Sequence, residues 1–276
     1  MEKTEDNIEE IMEETEENIY EIRNLGFSYD KTPVIKDLSL NIKRGNITTI
    51  LGANGCGKTT LFGLLTKGLK PRTGQINFCN LPLNDIKNKD FAKEVAIVHQ
   101  KNTPPPDMSV KKLISYGRTP YKSAGIKSLS RCSYRDDEDI INWAMEITNT
   151  TKHQEKGVLA LSGGQMQRVW IAMALAQDTD ILFLDEPTTF LDVRYQLEVL
   201  ALIRHLNEKY GKTIVMVLHD INQALAYSHE IIALKEGQIV AQHSPEKIAR
   251  ADLLEEIYGV KMKVAAVDGS TFVLPI

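Results

Sequence analysis

One stretch constrains this chain more than any other. An apolar run, Ile47–Leu51, leads into Gly52-Ala53-Asn54-Gly55-Cys56-Gly57-Lys58-Thr59, and a helical pattern follows over Thr59–Leu69. The eight residues match GxxxxGK[ST] between a strand and a helix, the context that gives this pattern meaning. Glycines let the backbone curl until successive N–H groups point inward and form a concavity for an anion. The start of the following helix adds a partial charge of roughly +0.5 at the same place. Lys58 is placed to reach the outer phosphates of a nucleotide, and the Thr59 hydroxyl to bind Mg2+. A lone glycine-rich turn with a chance lysine would not have both flanks correct.

The surrounding pattern is that of an α/β chain. Residues 19–50 read as strands, with polar and apolar residues alternating over Asp37–Ile42. Another strand is expected at Gly74–Cys79, between Pro71 and Pro82. Pro104-Pro105-Pro106 interrupts regular structure, and Ser109 is a cap for a helix beginning at Val110. Ile140, Trp143, Ala144 and Ile147 share one face of a second helix. Residues from 101 to about 168 therefore read as a mainly helical insertion. After it come a strand at Ile181–Leu184, a helix at Leu197–Glu208 and a β-branched strand at Thr213–Leu218. Hairpins are expected at Glu236-Gly237 and at Asp268-Gly269, the latter within a terminal segment of about 260–276.

Charge separates a tail from this domain. Residues 1–21 hold ten carboxylates and one lysine, a balance of −9, so the overall −4 leaves +5 for the rest. Residues 1–18 read as a solvated acidic extension to one domain spanning 19–276. The mildly basic body suits a nucleotide and is too weakly charged to argue for nucleic acid. Cys56, Cys79 and Cys132 make no CxxC pair, which fits a reducing compartment and argues against a zinc site. The acidic first residues do not read as a secretory signal, and no stretch approaches the ~18 apolar residues of a membrane span.

Two further segments carry chemistry. Asp185-Glu186 closes the strand Ile181–Leu184. A carboxylate there can hold Mg2+, and its neighbour can polarise a water. A helix N-cap pair is the bland alternative, and the phosphate loop is what outweighs it. Leu161-Ser162-Gly163-Gly164-Gln165, followed by Met166-Gln167-Arg168, can form a helix start with bare N–H groups, or simply an ordinary cap.

With LSGGQ placed between the phosphate loop and Asp185, the chain resembles the ABC-transporter ATPase family from about residue 19 onward. The resemblance implies a P-loop NTPase core with an antiparallel β subdomain and an inserted helical subdomain. It implies two subunits that sandwich two ATP molecules head to tail. Lys58 and the loop Gly52, Ala53, Asn54, Gly55, Cys56, Gly57, Thr59 and Thr60 would hold ATP. Ser162, Gly163, Gly164 and Gln165 would face it from the partner. Tyr29 matches the adenine-stacking aromatic, against the alternative of an aromatic packed on a sheet. Gln100 matches the glutamine that touches Mg2+ and the attacking water, so Thr59, Gln100 and Asp185 form the implied magnesium set. Glu186 matches the catalytic carboxylate and His219 the switch histidine. Phe190-Leu191-Asp192 matches the loop that crosses to the partner. His99, His153, His205, His229 and His243 match no catalytic position. Cys56 stands where serine is more common, which raises the expectation of either a redox-sensitive thiol or merely a small residue that fits.

The segments Tyr116–Tyr121, Glu186–Asp192 and His219–Ala224 look like those of importers of iron(III)-siderophore, haem and cobalamin complexes. Siderophore uptake ranks first and cobalamin or haem second. The implied partners are two permease subunits and, indirectly, a substrate-binding protein, with the chain peripheral on the cytoplasmic side of the membrane. The nearest rival of another class is a soluble ATPase of iron–sulfur cluster assembly, whose members usually depart from LSGGQ. DNA-repair ATPases of the family need a long coiled coil, and its translation factors need a second ATPase domain; neither is present.

Overall fold

The structure is a computed structural model that describes residues 18–121 and 136–276. Most of the acidic tail, and Cys132, lie outside these residues. In chain order the elements are β1 Asn18–Tyr29, β2 Thr32–Lys43, β3 Ile47–Gly52, α1 Lys58–Leu65, β4 Thr73–Phe78, α2 Asn88–Glu94 and β5 Val95–Val98. There follow α3 Val110–Ser115, α4 Asp137–Ile147, α5 Gly163–Ala176, β6 Ile181–Asp185, α6 Val193–Tyr210 and β7 Thr213–Val217. The chain closes with α7 Ile221–Tyr227, β8 Glu230–Lys235, β9 Gln238–His243, α8 Ala251–Tyr258, β10 Met262–Val267 and β11 Ser270–Pro275. It divides into two compact units, one of residues up to 86 with 217–276, the other of residues 87–216.

In the first unit, β1 pairs antiparallel with β2 on one side and β4 on the other. The alternation read from Asp37–Ile42 is real: Leu38, Leu40 and Ile42 are buried while Ser39 and Asn41 face out. β3 is buried along its whole length and pairs in parallel with β8, which turns antiparallel into β9. The turn is the expected one, with Glu236 at φ 49° and Gly237 at φ 81°, both left-handed as a type I′ turn requires. The Asp268-Gly269 turn repeats this at φ 50° and 77°. His229 has a structural task here. The Ile47 N–H donates to its Nδ1 at 2.9 Å, while the His229 N–H donates to the Ile47 carbonyl at 2.8 Å. The imidazole thus pairs a backbone donor that the short strand ends would otherwise leave buried and unmade.

The helix after the phosphate loop is shorter than the expected Thr59–Leu69. It stops at Leu65 because the Thr66 hydroxyl donates to the Phe62 carbonyl at 2.8 Å and Lys67 turns left-handed at φ 61°. The Leu69 N–H then closes on the Gly63 carbonyl at 2.9 Å, a wider turn that pairs one of the helix's last carbonyls.

In the second unit the strands lie in the order β7-β6-β5, with β5 parallel to β6 and Val98 opposite Leu184. Ser109 caps α3 as expected, accepting from the Lys112 N–H at 3.3 Å. The buried face of α4 differs from the expected one. It is Ile140, Ile141, Ala144 and Met145 that are buried, because Trp143 turns away to meet the Tyr210 ring edge-on at 5.4 Å. The helix expected at Leu197–Glu208 begins four residues earlier, at Val193, since Asp192 caps it by accepting from the Tyr195 N–H at 3.0 Å.

Candidate nucleotide site

The first unit carries the phosphate loop. It leaves the buried end of β3 and enters α1 through Gly57, which stands at φ 112° as the residue before the helix. Gly52 cannot be anything larger: a Cβ there would lie 2.2 Å from the Leu234 carbonyl oxygen and 2.7 Å from Cys56 Sγ. The loop is braced from outside, because the Gly237 N–H donates to the Cys56 carbonyl at 2.9 Å. Lys58 is buried, and its ammonium donates to the Gly52 and Ala53 carbonyls at 2.8 and 3.0 Å. Its charge is therefore held over the loop itself. Asn54, Gly55 and Thr59 are exposed, while Ala53 is half-buried and Thr60 buried.

Cys56 is only 6% exposed. Burial pushes its thiol up, against a smaller opposing pull from Lys58. A thiol that stays protonated and covered is a poor nucleophile, so the small-residue reading of Cys56 is the one its surroundings favour. The Tyr258 hydroxyl nearby is buried with no hydrogen-bond partner. Burial first, and then the charges of Cys56 and Asp220, push that phenol up as well.

Tyr29 lies at the turn of the β1–β2 hairpin, half exposed, with its ring edge-on to Phe27 at 4.9 Å. Val34 and Ile35, just beyond that turn, are the residues nearest Gly57. Tyr29 is thus an exposed aromatic face on the strand end that borders the loop. His219 is exposed and follows Leu218, whose N–H donates to the Ile50 carbonyl of β3 at 3.3 Å. That bond brings His219 to the same end of β3 from which the loop departs.

The second unit holds the carboxylates. Asp185 ends β6 and is 6% exposed. Glu186, next to it, takes φ 51°, and Phe190 takes φ 64°. Left-handed backbone at two non-glycine residues in five stores strain and is most often met at functional turns. Glu186 Oε2 accepts from Gln100 Nε2 and from the Thr189 hydroxyl, the latter at 3.0 Å. Gln100 and Glu186, assigned separately to the attacking water, are therefore in contact with each other.

The same unit carries the signature segment. Ser162 and Gln165 form a full capping box: the Gln165 N–H donates to Ser162 Oγ at 3.4 Å, and the Ser162 N–H to Gln165 Oε1 at 3.1 Å. Ser162 and Gly163 are exposed, so the positive end of the 14-residue helix α5 opens to solvent. Gly164 is buried, and a Cβ there would lie 2.5 Å from Cγ of the Tyr195 ring. Asp192 is exposed at the start of α6.

The expected residues thus fall into two groups. Tyr29, Gly52–Thr60 and His219 gather in the first unit, and Gln100, Ser162–Gln165, Asp185, Glu186 and Asp192 in the second. Sequence reasoning missed Thr189, Tyr195 and Tyr258. Thr189 had a signal, since a hydroxyl three residues after a carboxylate can reach it across a turn. Tyr195 and Tyr258 had none, because their contacts are between elements.

A model of the family described as ABC transporter matches residues 35–189. The chain is 40% identical over 240 residues to an iron(3+)-hydroxamate import ATP-binding protein of Bacillus subtilis (strain 168), covering 87% of each chain. It is 43% identical over 245 residues to a petrobactin import ATP-binding protein of Bacillus anthracis, covering 89% of this chain and 88% of that one. Among solved structures, an inward-facing ABC transporter assigned to the metal-chelate type superposes with a TM-score of 0.77 at 26% identity, over 94% of this chain and 98% of that one.

Proposed function

Because the chain belongs to the ABC transporter family, we propose that it is the ATP-hydrolysing subunit of an importer, and that its cargo is an iron(III)-siderophore or a related metal chelate. The observation that carries the nucleotide reading is the loop Gly52–Thr59. It joins a buried strand to a helix, is braced at Cys56 from β8–β9, and holds a buried ammonium. The cargo reading rests on the two relatives, one named for iron(3+)-hydroxamate import and the other for petrobactin import.

The residue roles are those the family resemblance implies, and the chemistry of the side chains suits them. Loop N–H groups and Lys58 bind the phosphates, and Tyr29 offers a face for the adenine. Glu186 orients a water for attack on the terminal phosphorus, with Gln100 and Thr189 fixing the carboxylate. His219 meets the same phosphate from the end of β3. The Thr59 hydroxyl, the Gln100 side-chain oxygen and the Asp185 carboxylate are hard oxygen donors, the chemistry Mg2+ selects while keeping phosphate and water as its other ligands. When bound, Mg2+ supplies charge neutralisation at the phosphates.

Ser162–Gln165 and Asp192 serve a second copy of the chain. Leu159, Phe190 and Val193 flank them and are 68%, 86% and 70% exposed. Apolar side chains this open beside an exposed helix N-terminus suit a surface that closes on a partner. In a head-to-tail homodimer, Ser162 donates to the terminal phosphate held by the partner, a preorganised contact whose loss typically costs ~10²–10³ in turnover. ATP binding closes the pair, and hydrolysis and product release reopen it.

Among the described residues no helix is long and apolar enough to cross a membrane. The membrane step belongs to two permease subunits, with this chain peripheral on the cytoplasmic side and a binding protein delivering cargo; nucleic acid has no part. The test is co-expression with a candidate permease and binding protein, followed by uptake of radiolabelled iron-siderophore. ATP-dependent uptake lost in Lys58→Ala supports the reading. Uptake of cobalamin or haem instead overturns the cargo. A chain that hydrolyses ATP yet binds none of the co-expressed permeases and supports no chelate uptake overturns the importer role and favours a soluble ATPase.

A further inference from the structure

Ser162 and Asp192 start two helices that are tied together side by side. Gly164, two residues after Ser162, packs directly on the ring of Tyr195, three residues after Asp192. One turn further, Arg168 Nη2 donates to Glu198 Oε2. Gly164 and Arg168 are four apart and Tyr195 and Glu198 three apart, so each pair lies on one face of its helix. The two contacts are successive rungs between α5 and α6, and they rise in the same order along both. The starts of the helices, with Ser162 and Asp192, therefore share one end.

The upper rung is an ion pair of some shelter. The Arg168 and Glu198 side chains are 17% and 30% exposed, so solvent and salt screen them less than a surface pair. The other Glu198 oxygen accepts from Arg194 Nε at 3.0 Å. Arg194 is 82% exposed and adds little by itself. The Gln196 side chain donates to the Leu191 carbonyl at 2.9 Å, which fastens the crossing loop to the first turn of α6.

We propose that Glu198 is a positioning residue for the composite nucleotide site. Its carboxylate clamps the signature helix to the helix that carries Asp192, so both loops meet the partner's nucleotide as one rigid piece. This rests on the sandwich reading given above. Glu198 touches no nucleotide; it acts through Arg168. Without the clamp each loop is ordered separately on closing, and that ordering is charged against dimer formation.

The test uses the full chain with Glu186→Gln, which should trap an ATP dimer. Two quantities are measured at a temperature where every variant is folded by its melting curve: ATP binding to dilute monomer, and dimerisation in Mg-ATP by sedimentation. Adding Glu198→Gln should leave monomer ATP affinity unchanged and weaken dimerisation about tenfold, within the usual span of coupling between sites. Arg168→Gln should do the same, and the double change should cost no more than either single change. A merely structural role would lower the melting temperature without separating the two affinities. Dimerisation unchanged by Glu198→Gln, or ATP binding weakened in step with it, overturns the proposal. Failure of Glu186→Gln alone to dimerise overturns the sandwich and the proposal together.

Discussion

Adding one methyl group at Gly164 should reverse the sign of its effect according to what stands at residue 195. Gly164 is helical, and no positive φ marks it, so alanine there should stabilise α5 by up to about 1 kcal/mol through helix propensity. The new Cβ would, however, lie 2.5, 2.6 and 3.0 Å from Cγ, Cδ1 and Cδ2 of Tyr195, where carbon contacts settle at about 3.5–4.0 Å. The overlap is with the root of the ring, so a rotamer change at its tip cannot relieve it and the helices must part. Overpacking of this kind costs about 1–3 kcal/mol. Gly164→Ala should therefore cost about 0–2 kcal/mol in the native background, or up to several degrees of melting temperature for a chain this size. In a Tyr195→Ala background the same change should stabilise by up to about 1 kcal/mol. Denaturant unfolding of the four proteins measures the difference. Equal effects of Gly164→Ala in both backgrounds would refute the reasoning.

Cys56 should be slow to alkylate. Peptide mapping after brief maleimide treatment should find Cys79, which is less buried and accepts a hydrogen bond from Arg44 at 3.5 Å, labelled before Cys56; Cys56→Ser should keep turnover within about twofold. His153 is buried with neither ring nitrogen hydrogen-bonded, and burial, then Lys156 and Lys152, lowers its pKa below 6.5. The unfolded chain thus takes up the proton first on acidification, so stability should fall as pH drops below about 6.5. His153→Leu should flatten that slope and raise stability by about 1–3 kcal/mol, read from melts at pH 5.5 and 7.5; an unchanged slope would exclude His153 as its source.

Most of the fold was legible because its signals are local. Strand, glycine loop and helix follow one another at Ile47–Leu65, alternation marks β2, and the two left-handed turns name themselves by sequence. The two misreadings have different causes, one local and one distant. The end of α1 was overrun because a side-chain bond from Thr66 and a left-handed Lys67 stop it while the apolar pattern continues to Leu69. The face of α4 was mistaken because Trp143 has a partner, Tyr210, 67 positions away. The site divides the same way. The order of motifs is what singles out Lys58, Ser162, Glu186 and His219 as candidates, whereas Tyr195 against Gly164 and Glu198 on Arg168 depend on how two helices pack. His229 was read as a structural or surface residue, and it is structural, though the bond to Ile47 that makes it so carries no sequence signal.

The central claim is that Glu186 activates water in a site completed by a second copy of the chain. The most direct measurement is ATP turnover of the wild type and of Glu186→Gln, with a sizing run of each in Mg-ATP. Turnover by the wild type, with an inactive variant that becomes a dimer only when ATP is present, is the expected result. Near-normal turnover by Glu186→Gln, or a variant that stays monomeric with ATP bound, would contradict the account.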